Sequence, residues 1–354
     1  MKLATYKDGS RDGQLVVVSR DLSTAHYATG IAHRLQQVLD DWNFFAPQLQ
    51  DLSSALNSGK ARHAFPFDPA MCMAPLPRAF QRVEGQAWLH HAALLGDTPD
   101  AGVPDDLRAA PTMHQGGSDD LLGPCDPVVL PDETTGIDFG AGIAVITGDV
   151  AMGATPEQAL DGIRLVMLSN GIVLREPARA GQARGSDHVQ SRPATAFSPV
   201  AVTPDELGEA WAGGRAHLTV QCHWNSKRFG LCDAGADMHF HFGQLMTHLC
   251  RTRRVRAGTI VNAGPVGNAP VTGDDGRRSW PKGCACIAEK RAIETLLDGQ
   301  PSTGFMRFGD TVRIESRGRD GHSVFGAIDQ LIRSDRPEPP APEPVAEDEA
   351  LQQA

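Results

Sequence analysis

The sequence lacks the patterns that mark secreted and membrane proteins. Its seven cysteines are an odd number and include no Cys-x-x-Cys pair, so they suit reduced thiols better than a disulfide framework. No apolar run approaches the roughly 18 residues that a membrane span needs. Residues 1–10 are charged and have no apolar stretch of the kind found in signal peptides. We therefore expect a cytoplasmic protein that makes no membrane contact.

An excess of positive charge is also missing. The formal net charge is −10, whereas a general nucleic-acid surface needs a basic footprint. The local basic run at 251–256 fits a solvated helix end, because cations suit helix C-termini. Hydrophobic residues make up 41% of the 354 residues, which is enough for a large core, and the length favours two domains. We expect no nucleic-acid partner.

The N-terminal part has the pattern of a small domain, which we assign to residues 1–70. A β-branched run at 14–19 predicts a strand. Apolar residues at helical spacing predict a helix over 29–42, and a second short helix is expected over 47–57. Prolines between 65 and 77 then mark the entry into a larger domain.

The larger domain, 71–333, mixes short strands with a few helices. Thr155 and Thr203 each precede a proline and have a Gln or Glu three residues later, the pattern of a helix start. The elements do not alternate strictly, so we expect an α+β fold that is mainly β and not a doubly wound parallel sheet. The Pro- and Glu-rich residues 334–354 are expected to form a disordered tail. Strands are predicted at 142–147, 165–169, 217–222 and 311–316, and a further helix at 240–250.

A series of sequence blocks resembles the shorter bacterial branch of the fumarylacetoacetate hydrolase family, a group of metal-dependent C–C hydrolases. The resemblance implies a small N-terminal domain and a fumarylacetoacetase C-terminal-like mixed β-roll that encloses the active site. It also implies a dimer, because members of the family commonly dimerise. The blocks lie at 2–13, 64–67, 115–119, 146–149, 193–199, 232–235, 240–245, 288–294 and 324–330.

The resemblance also identifies what is missing from the family's metal site. In the family, carboxylates hold Mg²⁺ or Mn²⁺, and the ion chelates adjacent keto and carboxylate oxygens of a diketo acid. The matching positions here are Ala93 (or its neighbour Ala92), Gly140, Gly142 and Gly171, which have no donor side chain. We therefore expect no metal and no other cofactor, although Mg or Mn is the family default. Gly140 and Gly142 face one side of a strand and are expected to leave an open slot there.

Two residues at family active-site positions are candidates for catalysis. Glu289 is an acidic residue retained within the block at 288–294, and His114 stands where the family usually has tyrosine. Histidine titrates near neutral pH and could act as acid or base. Both also have structural interpretations: Glu289 could pair with Lys290 or Arg291, and His114 could be an ordinary hydrogen-bonded residue.

Four residues are candidates for substrate contacts by the same resemblance. Arg192 replaces a family lysine and Gln190 precedes it, while Gly264 belongs to a Gly-Pro turn where the family has Gly-Thr. Arg175 begins a segment with several arginines, which is either a solvated basic loop or a clamp for a carboxylate or phosphate. Arginine suits a clamp because its planar fork binds such groups through two hydrogen bonds.

Two short patterns resemble metal motifs without completing one. Cys284 and Cys286 form a Cys-x-Cys pair, yet no second ligand pair follows at the spacing of a zinc site. His239 and His241 form a His-x-His pair at a predicted helix entry. Structural roles are favoured for both pairs, and metal or redox use is the alternative.

Three functions remain open on these grounds. The first is an enzyme with altered, metal-independent chemistry on a small keto-acid-like molecule: hydrolysis, decarboxylation or tautomerisation. The second is a non-catalytic relative that binds a small molecule, or that forms a heterodimer with an intact homologue in place of a homodimer. The third is the ordinary metal-dependent hydrolase of diketo or acylpyruvate-type acids, which would require the assignment of ligand positions to be wrong.

Overall fold

The computed structural model describes residues 1–96, 103, 105–185 and 189–336. The predicted tail therefore lies outside the described residues from residue 337 onward. In the described part, no helix is both long and apolar enough to cross a membrane. Short 3₁₀ helices lie at Pro69–Met71, Glu133–Thr135 and Pro204–Ala210. The described α-helices are α1 (Leu35–Asp40), α2 (Trp42–Asn57), α3 (Leu89–Leu94), α4 (Asp105–Ala109), α5 (Pro156–Leu160), α6 (Arg175–Ala183), α7 (Phe242–Cys250) and α8 (Ile287–Asp298).

Strands outnumber helices and are mostly short. They are β1 (Lys2–Tyr6), β2 (Gln14–Val18), β3 (Thr24–Tyr27), β4 (Phe65–Pro66), β5 (Gln81–Gly85), β6 (Met113–Gly116), β7 (Val128–Leu130), β8 (Ile137–Asp138), β9 (Ala141–Thr147), β10 (Ile163–Asn170), β11 (Val173–Leu174), β12 (Ala196–Phe197), β13 (Ala201–Val202), β14 (Trp211–Ala212), β15 (Arg215–Ala216), β16 (Thr219–Trp224), β17 (Lys227–Asp233), β18 (Thr259–Pro265), β19 (Val271–Thr272), β20 (Arg278–Ser279), β21 (Thr311–Arg317) and β22 (Ile328–Ser334).

Two sheets carry the fold. The larger sheet has eleven strands, in the order β4-β3-β2-β1-β13-β10-β9-β18-β5-β6, with β12 paired to β10. The second sheet has five strands, in the order β17-β16-β21-β22-β7. Most pairings are antiparallel, while β5 with β18 and β7 with β22 are parallel. The fold is therefore α+β and mainly β, as predicted from the order of elements.

The central strands of the larger sheet are buried on both faces. Along β9 the side chains of Ile143 and Val145 enter one apolar cluster, which also contains residues of the five-stranded sheet. Ala144 and Ile146 enter a second cluster formed with the N-terminal helices. This alternation follows from the two-residue period of a strand, and it explains why β9 reads as a continuous apolar run.

The N-terminal strands extend the sheet of the larger domain. β1 pairs antiparallel with β13, with Lys2 opposite Val202. The helix predicted over 29–42 was wrong in its start, because α1 begins at Leu35. The amide of Leu15 donates to the carbonyl of His33, which holds the preceding turn against β2. The next helix, α2, begins before its predicted start and contains Pro47.

The two predicted helix starts behave differently. Thr155 caps α5 in a reciprocal pair with Gln158, as the sequence pattern indicates. Thr203 makes no side-chain cap, because its hydroxyl accepts a hydrogen bond from the N-terminal amine of Met1 at 2.7 Å. The amine of Met1 is therefore bonded to the hydroxyl oxygen that would otherwise cap the helix. The segment after Thr203 is a 3₁₀ helix.

Candidate functional site

Glycines bring several backbone segments together at the positions that the sequence resemblance matches to the family's metal ligands. A Cβ on Gly142 would lie 2.4 Å from the carbonyl oxygen of Gly264, and a Cβ on Gly140 would lie 2.9 Å from the carbonyl oxygen of Gly171. The prediction of an open slot beside Gly140 and Gly142 is therefore wrong, because neighbouring backbone occupies the space. Only glycine permits such close approach without strain.

Gly264, a predicted substrate contact, has a local conformational role. Its φ is +88°, and a Cβ there would lie 2.4 Å from the carbonyl oxygen of Gly85. Both the left-handed backbone and the close contact favour glycine. Gly264 lies near the end of β18 and allows that strand to approach Gly85 at the end of β5 closely. A substrate contact at Gly264 stays a prediction.

A buried carboxylate lies against Gly171. Glu84 Oε1 bonds to Arg192 Nη1 at 3.0 Å, and Oε2 bonds to Arg82 Nη1 at 3.3 Å. We call Glu84, Arg82 and Arg192 the Glu84–arginine cluster. Burial would raise the pKa of the Glu84 carboxyl, but Arg192, followed by His114 and Arg82, lowers it below its ordinary value. The predicted substrate contact Arg192 is thus engaged with Glu84 in this structure.

His114 belongs to the same neighbourhood. It lies on β6 directly opposite Glu84 on β5, and its charge contributes to the lowered pKa of that carboxyl. The β5–β6 pairing thus brings one predicted catalytic residue to the cluster. Gln190, the fourth predicted substrate contact, is exposed in a turn two residues before Arg192. Arg82 and Glu84 were not predicted from the sequence, although their two-residue spacing places both on one face of a strand and could have indicated an ion pair.

The second predicted catalytic residue, Glu289, faces a histidine from another helix. His91 lies on α3, and its Nδ1 is 3.5 Å from Oε2 of Glu289 in the first turn of α8. Both side chains are buried, and neither atom has a hydrogen-bond partner among the described residues. The alternative pairing of Glu289 with Lys290 or Arg291 is wrong, because adjacent helical residues do not face each other.

Those two basic neighbours of Glu289 have other partners. Lys290 pairs with Glu294 at 3.3 Å, and Arg291 donates to the carbonyl oxygen of Thr303. Glu289 is therefore left to His91 and to Cys286, whose Sγ accepts a hydrogen bond from the Glu289 amide at 3.4 Å. Cys286 is the N-cap residue of α8, and burial raises the pKa of its thiol well above the ordinary value.

Arg175, a predicted substrate contact, holds the carboxylate that anchors α8. Its Nε and Nη2 atoms donate to Asp138 Oδ2 at 2.9 and 2.6 Å. The same carboxylate accepts hydrogen bonds from the amides of Ile287 and Ala288 at 2.6 and 3.0 Å. Burial would lower the pKa of Arg175, but the charge of Asp138 outweighs the effect of burial and raises that pKa. A carboxylate suits a helix N-terminus, and here it fixes the turn that carries Glu289.

Residue 93, the remaining position that the resemblance matches to a family ligand, lies on α3 near His91. Ala93 is half-buried and supplies no donor side chain. In the His-x-His pair, His239 packs edge-on against Phe240, and the backbone amide of His241 donates to Gln244 Oε1 at 3.0 Å at the start of α7. Cys284 packs with Leu94 and Ile293 in a small apolar cluster. His91 and Asp138 were missed as functional candidates, because only the fold shows what they face.

These elements define an α+β protein with a mixed β-roll and a buried histidine–glutamate pair between α3 and α8. The family model described as fumarylacetoacetase N-terminal domain 2 matches residues 1–78. The model described as the fumarylacetoacetate hydrolase C-terminal domain matches residues 83–331. The chain therefore belongs to the fumarylacetoacetate hydrolase family.

Solved structures with the same fold cover nearly the whole chain. A probable 2-hydroxyhepta-2,4-diene-1,7-dioate isomerase from Mycobacterium abscessus has 17% identity and a TM-score of 0.63, over 95% of this chain and 100% of that chain. Maleylpyruvate hydrolase from Sphingobium sp. SYK-6, in complex with manganese(II) and pyruvate, has 15% identity and a TM-score of 0.61, over 95% and 100%. Fumarylacetoacetate hydrolase from Exiguobacterium antarcticum has 16% identity and a TM-score of 0.58, over 94% and 99%. Among curated proteins, none matches the sequence. At these identities the likeness concerns the fold.

Proposed function

We propose that this chain is an enzyme for a small keto acid or its enol, and that it works without the Mg²⁺ or Mn²⁺ ion of its relatives. The observation that carries the proposal is the buried pair of His91 and Glu289, with Nδ1 and Oε2 3.5 Å apart and otherwise unpartnered among the described residues. A buried polar atom without a hydrogen-bond partner lowers the stability of a protein, so we attribute the presence of this pair to a function in catalysis.

The residues around the family metal position do not fit a hard divalent ion. Such an ion prefers several carboxylate or carbonyl oxygens, whereas Gly140, Gly142 and Gly171 have no side chain. Glu84 is the nearby carboxylate, and two guanidinium groups against its one charge leave a net positive cluster. A cation placed there would meet repulsion from both arginines. We therefore assign no step of the reaction to a metal at this position.

The chemistry that the remaining residues support best is proton transfer. Histidine is a good acid or base near neutral pH, and Glu289 would orient the ring of His91. Arg192 and Arg82 form a positive region around Glu84, and arginines bind carboxylates through paired hydrogen bonds. A substrate carboxylate would compete with Glu84 for Arg192, while His114 lies beside the same cluster. Keto–enol tautomerisation needs little more than such a proton exchange.

Hydrolysis of a C–C bond asks for more than an acid–base pair. The enolate that leaves carries negative charge, which needs strong donors when no metal is present. The Glu84–arginine cluster would supply that charge stabilisation only after Glu84 yields Arg192. Hydrolysis of diketo and acylpyruvate-type acids, with decarboxylation, is therefore ranked behind tautomerisation as the altered activity.

The test uses the full chain stripped of metal with a chelator. We expect absorbance changes of keto–enol acids to show turnover that added Mg²⁺ or Mn²⁺ leaves unchanged. His91→Gln and Glu289→Gln should each lower kcat by about 10²–10⁴-fold, the usual contribution of acid–base catalysis. Lys290→Ala is the matched control on the same helix turn, because Lys290 pairs with Glu294 instead. Stoichiometric Mg²⁺ binding at micromolar affinity, with turnover that depends on it, would overturn the proposal.

A non-catalytic role is the second candidate, and the engaged arginines favour it. Arg82 and Arg192 are already paired with Glu84, and His91 and Glu289 are both buried. Such a protein would bind a small keto-acid-like molecule, or would pair with an intact homologue in a mixed dimer, and a homodimer is the simpler assembly. Calorimetry with keto acids separates the two roles, because a binding-only protein keeps its affinity in His91→Gln without any turnover. Light scattering coupled to gel filtration tests the dimer.

A further inference from the structure

Three different donor side chains converge beneath α3 and α8. Donor atoms of His91, Cys286 and Glu289 all lie within 4.8 Å of one another, and the three residues are buried. His91 comes from α3, whereas Cys286 and Glu289 are three residues apart at the start of α8. The N-cap position turns the thiol back over the first helical turn, so it meets the carboxylate of Glu289. Packing of α3 on α8 supplies the imidazole.

The protein leaves two polar atoms of this group without a hydrogen-bond partner in the part of the chain that the structure describes. His91 Nδ1 and Glu289 Oε2 have no hydrogen-bond partner among the described residues, and their separation is 3.5 Å. A tetrahedral Zn²⁺ with ligand bonds of about 2.0–2.3 Å places its ligand atoms roughly 3.3–3.6 Å apart. Two of the three donors are therefore already at the spacing of zinc ligands. The thiol needs only a modest approach, since every donor pair lies within 4.8 Å.

We infer that His91, Cys286 and Glu289 form a binding site for a borderline transition-metal ion such as Zn²⁺. Thiolate and imidazole select zinc-like ions, while Mg²⁺ prefers oxygen donors alone. Three protein ligands leave a fourth position, as in zinc sites that remain open to water. The site is distinct from the family's carboxylate positions at Gly140, Gly142 and Gly171, which supply none of its ligands.

The inference shares His91 and Glu289 with the proposed function, but it is tested by binding and not by turnover. A bound ion would take the ring nitrogen and the carboxylate oxygen needed for proton exchange, so Zn²⁺ should inhibit any metal-free activity. If metal-free turnover is never found, the binding result still stands by itself. If no ion binds, the acid–base proposal is untouched.

The experiment titrates the chelator-stripped full chain with Zn²⁺ by calorimetry and with Co²⁺ by absorption spectroscopy. We expect one ion per chain, a thiolate-to-cobalt charge-transfer band, and no comparable heat with Mg²⁺. Cys286→Ser should remove the band and weaken Zn²⁺ binding by at least about tenfold, since even residues that only support a ligand contribute that much. Serine is a good helix N-cap, so this variant keeps the bond to the Glu289 amide. Cys284→Ser is the matched control, because Cys284 packs with Leu94 and Ile293.

Two results would overturn the inference. One is the absence of Zn²⁺ and Co²⁺ binding in the folded wild-type protein, which needs no variant to interpret. The other is a charge-transfer band that survives in Cys286→Ser or disappears in Cys284→Ser, which would place the ion at another cysteine. Thermal unfolding of the wild-type protein with and without Zn²⁺ provides a second readout, because an ion that binds the native state raises its Tm.

Discussion

The carboxylate of Glu84 stands against the position where a side chain on Gly171 would begin. A Cβ on Gly171 would lie 3.6 Å from Glu84 Oε2 and 3.8 Å from Oε1. These are ordinary contact distances, so there is room for a methyl group but not for a second charge. Glu84 of β5 thus brings a carboxylate to the end of β10, beside a position that the sequence resemblance matches to a family ligand, and two arginines pair with it.

Substitutions at Gly171 should distinguish the effect of side-chain size on stability from the effect of side-chain charge. Gly171→Ala should fold normally, whereas Gly171→Asp should be less stable than Gly171→Asn by about 1–3 kcal/mol, because its carboxylate would be buried in contact with that of Glu84, to which both arginines are already bonded. Urea unfolding measures these differences. The gap between the Asp and Asn variants should close in a Glu84→Gln background, since the cycle removes the repulsion. An Asp variant that equals Asn in stability and binds Mg²⁺ tightly would contradict this view.

Adding a side chain at Gly142 should destabilise the protein for a different reason. The Cβ of Gly142→Ala would meet the backbone oxygen of Gly264 at 2.4 Å, and the sheet would have to shift. Overpacking of this kind costs about 1–3 kcal/mol or more. Gly304→Ala is the control, because no heavy atom lies within 4 Å of its Cβ position. Equal denaturation midpoints for the two variants would show that the strands at Gly142 can separate freely.

The partner of Asp138 should matter far more than a neighbouring surface arginine. Arg175→Met leaves a buried carboxylate with only backbone donors, and breaking a buried pair costs about 3–5 kcal/mol. Arg179→Met, on the same helix, removes only an exposed pair with Glu176 and should cost about 0.5 kcal/mol or less. Chemical denaturation of both variants provides the comparison. Similar losses would mean that Asp138 does not depend on Arg175.

The carboxyl of Glu294 should make stability depend on pH in the acid range. Burial would raise its pKa, but hydrogen bonds from Thr303 and Ser302 and the contact with Lys290 outweigh burial and lower it from 4.5 to about 2. The folded protein holds the ionised form better, so the stabilisation is complete above pH 4.5 and is lost as pH falls toward 2.

Urea midpoints across this pH range test the effect. Glu294→Gln should be destabilised at pH 7, and the difference from wild type should shrink as pH falls from 4.5 toward 2. Glu209→Gln is the control, because Glu209 forms an exposed pair with Arg319 and should shift little at any pH. A constant difference for Glu294→Gln down to pH 2 would contradict the lowered pKa.

Much of the fold could be predicted from the sequence because the signals are local. The apolar run in β9, the capping pattern at Thr155 and the mixed order of elements each depend on a few neighbouring residues. The errors arose where distant chain segments intervene. Thr203 has the same pattern as Thr155, yet its hydroxyl is taken by the amine of Met1, which no local pattern reveals.

The candidate site divides in the same way. The sequence by itself determined that Ala93, Gly140, Gly142 and Gly171 have no donor side chain, and the assignment of these positions to the family's metal ligands stays a prediction. It also singled out Glu289 and His114. Only the tertiary structure decided that β5 brings Glu84 to Gly171, that α3 brings His91 to Glu289, and that Arg175 serves Asp138. Sheet register and helix packing set these contacts between residues far apart in the chain, and such contacts leave no periodic trace in the sequence.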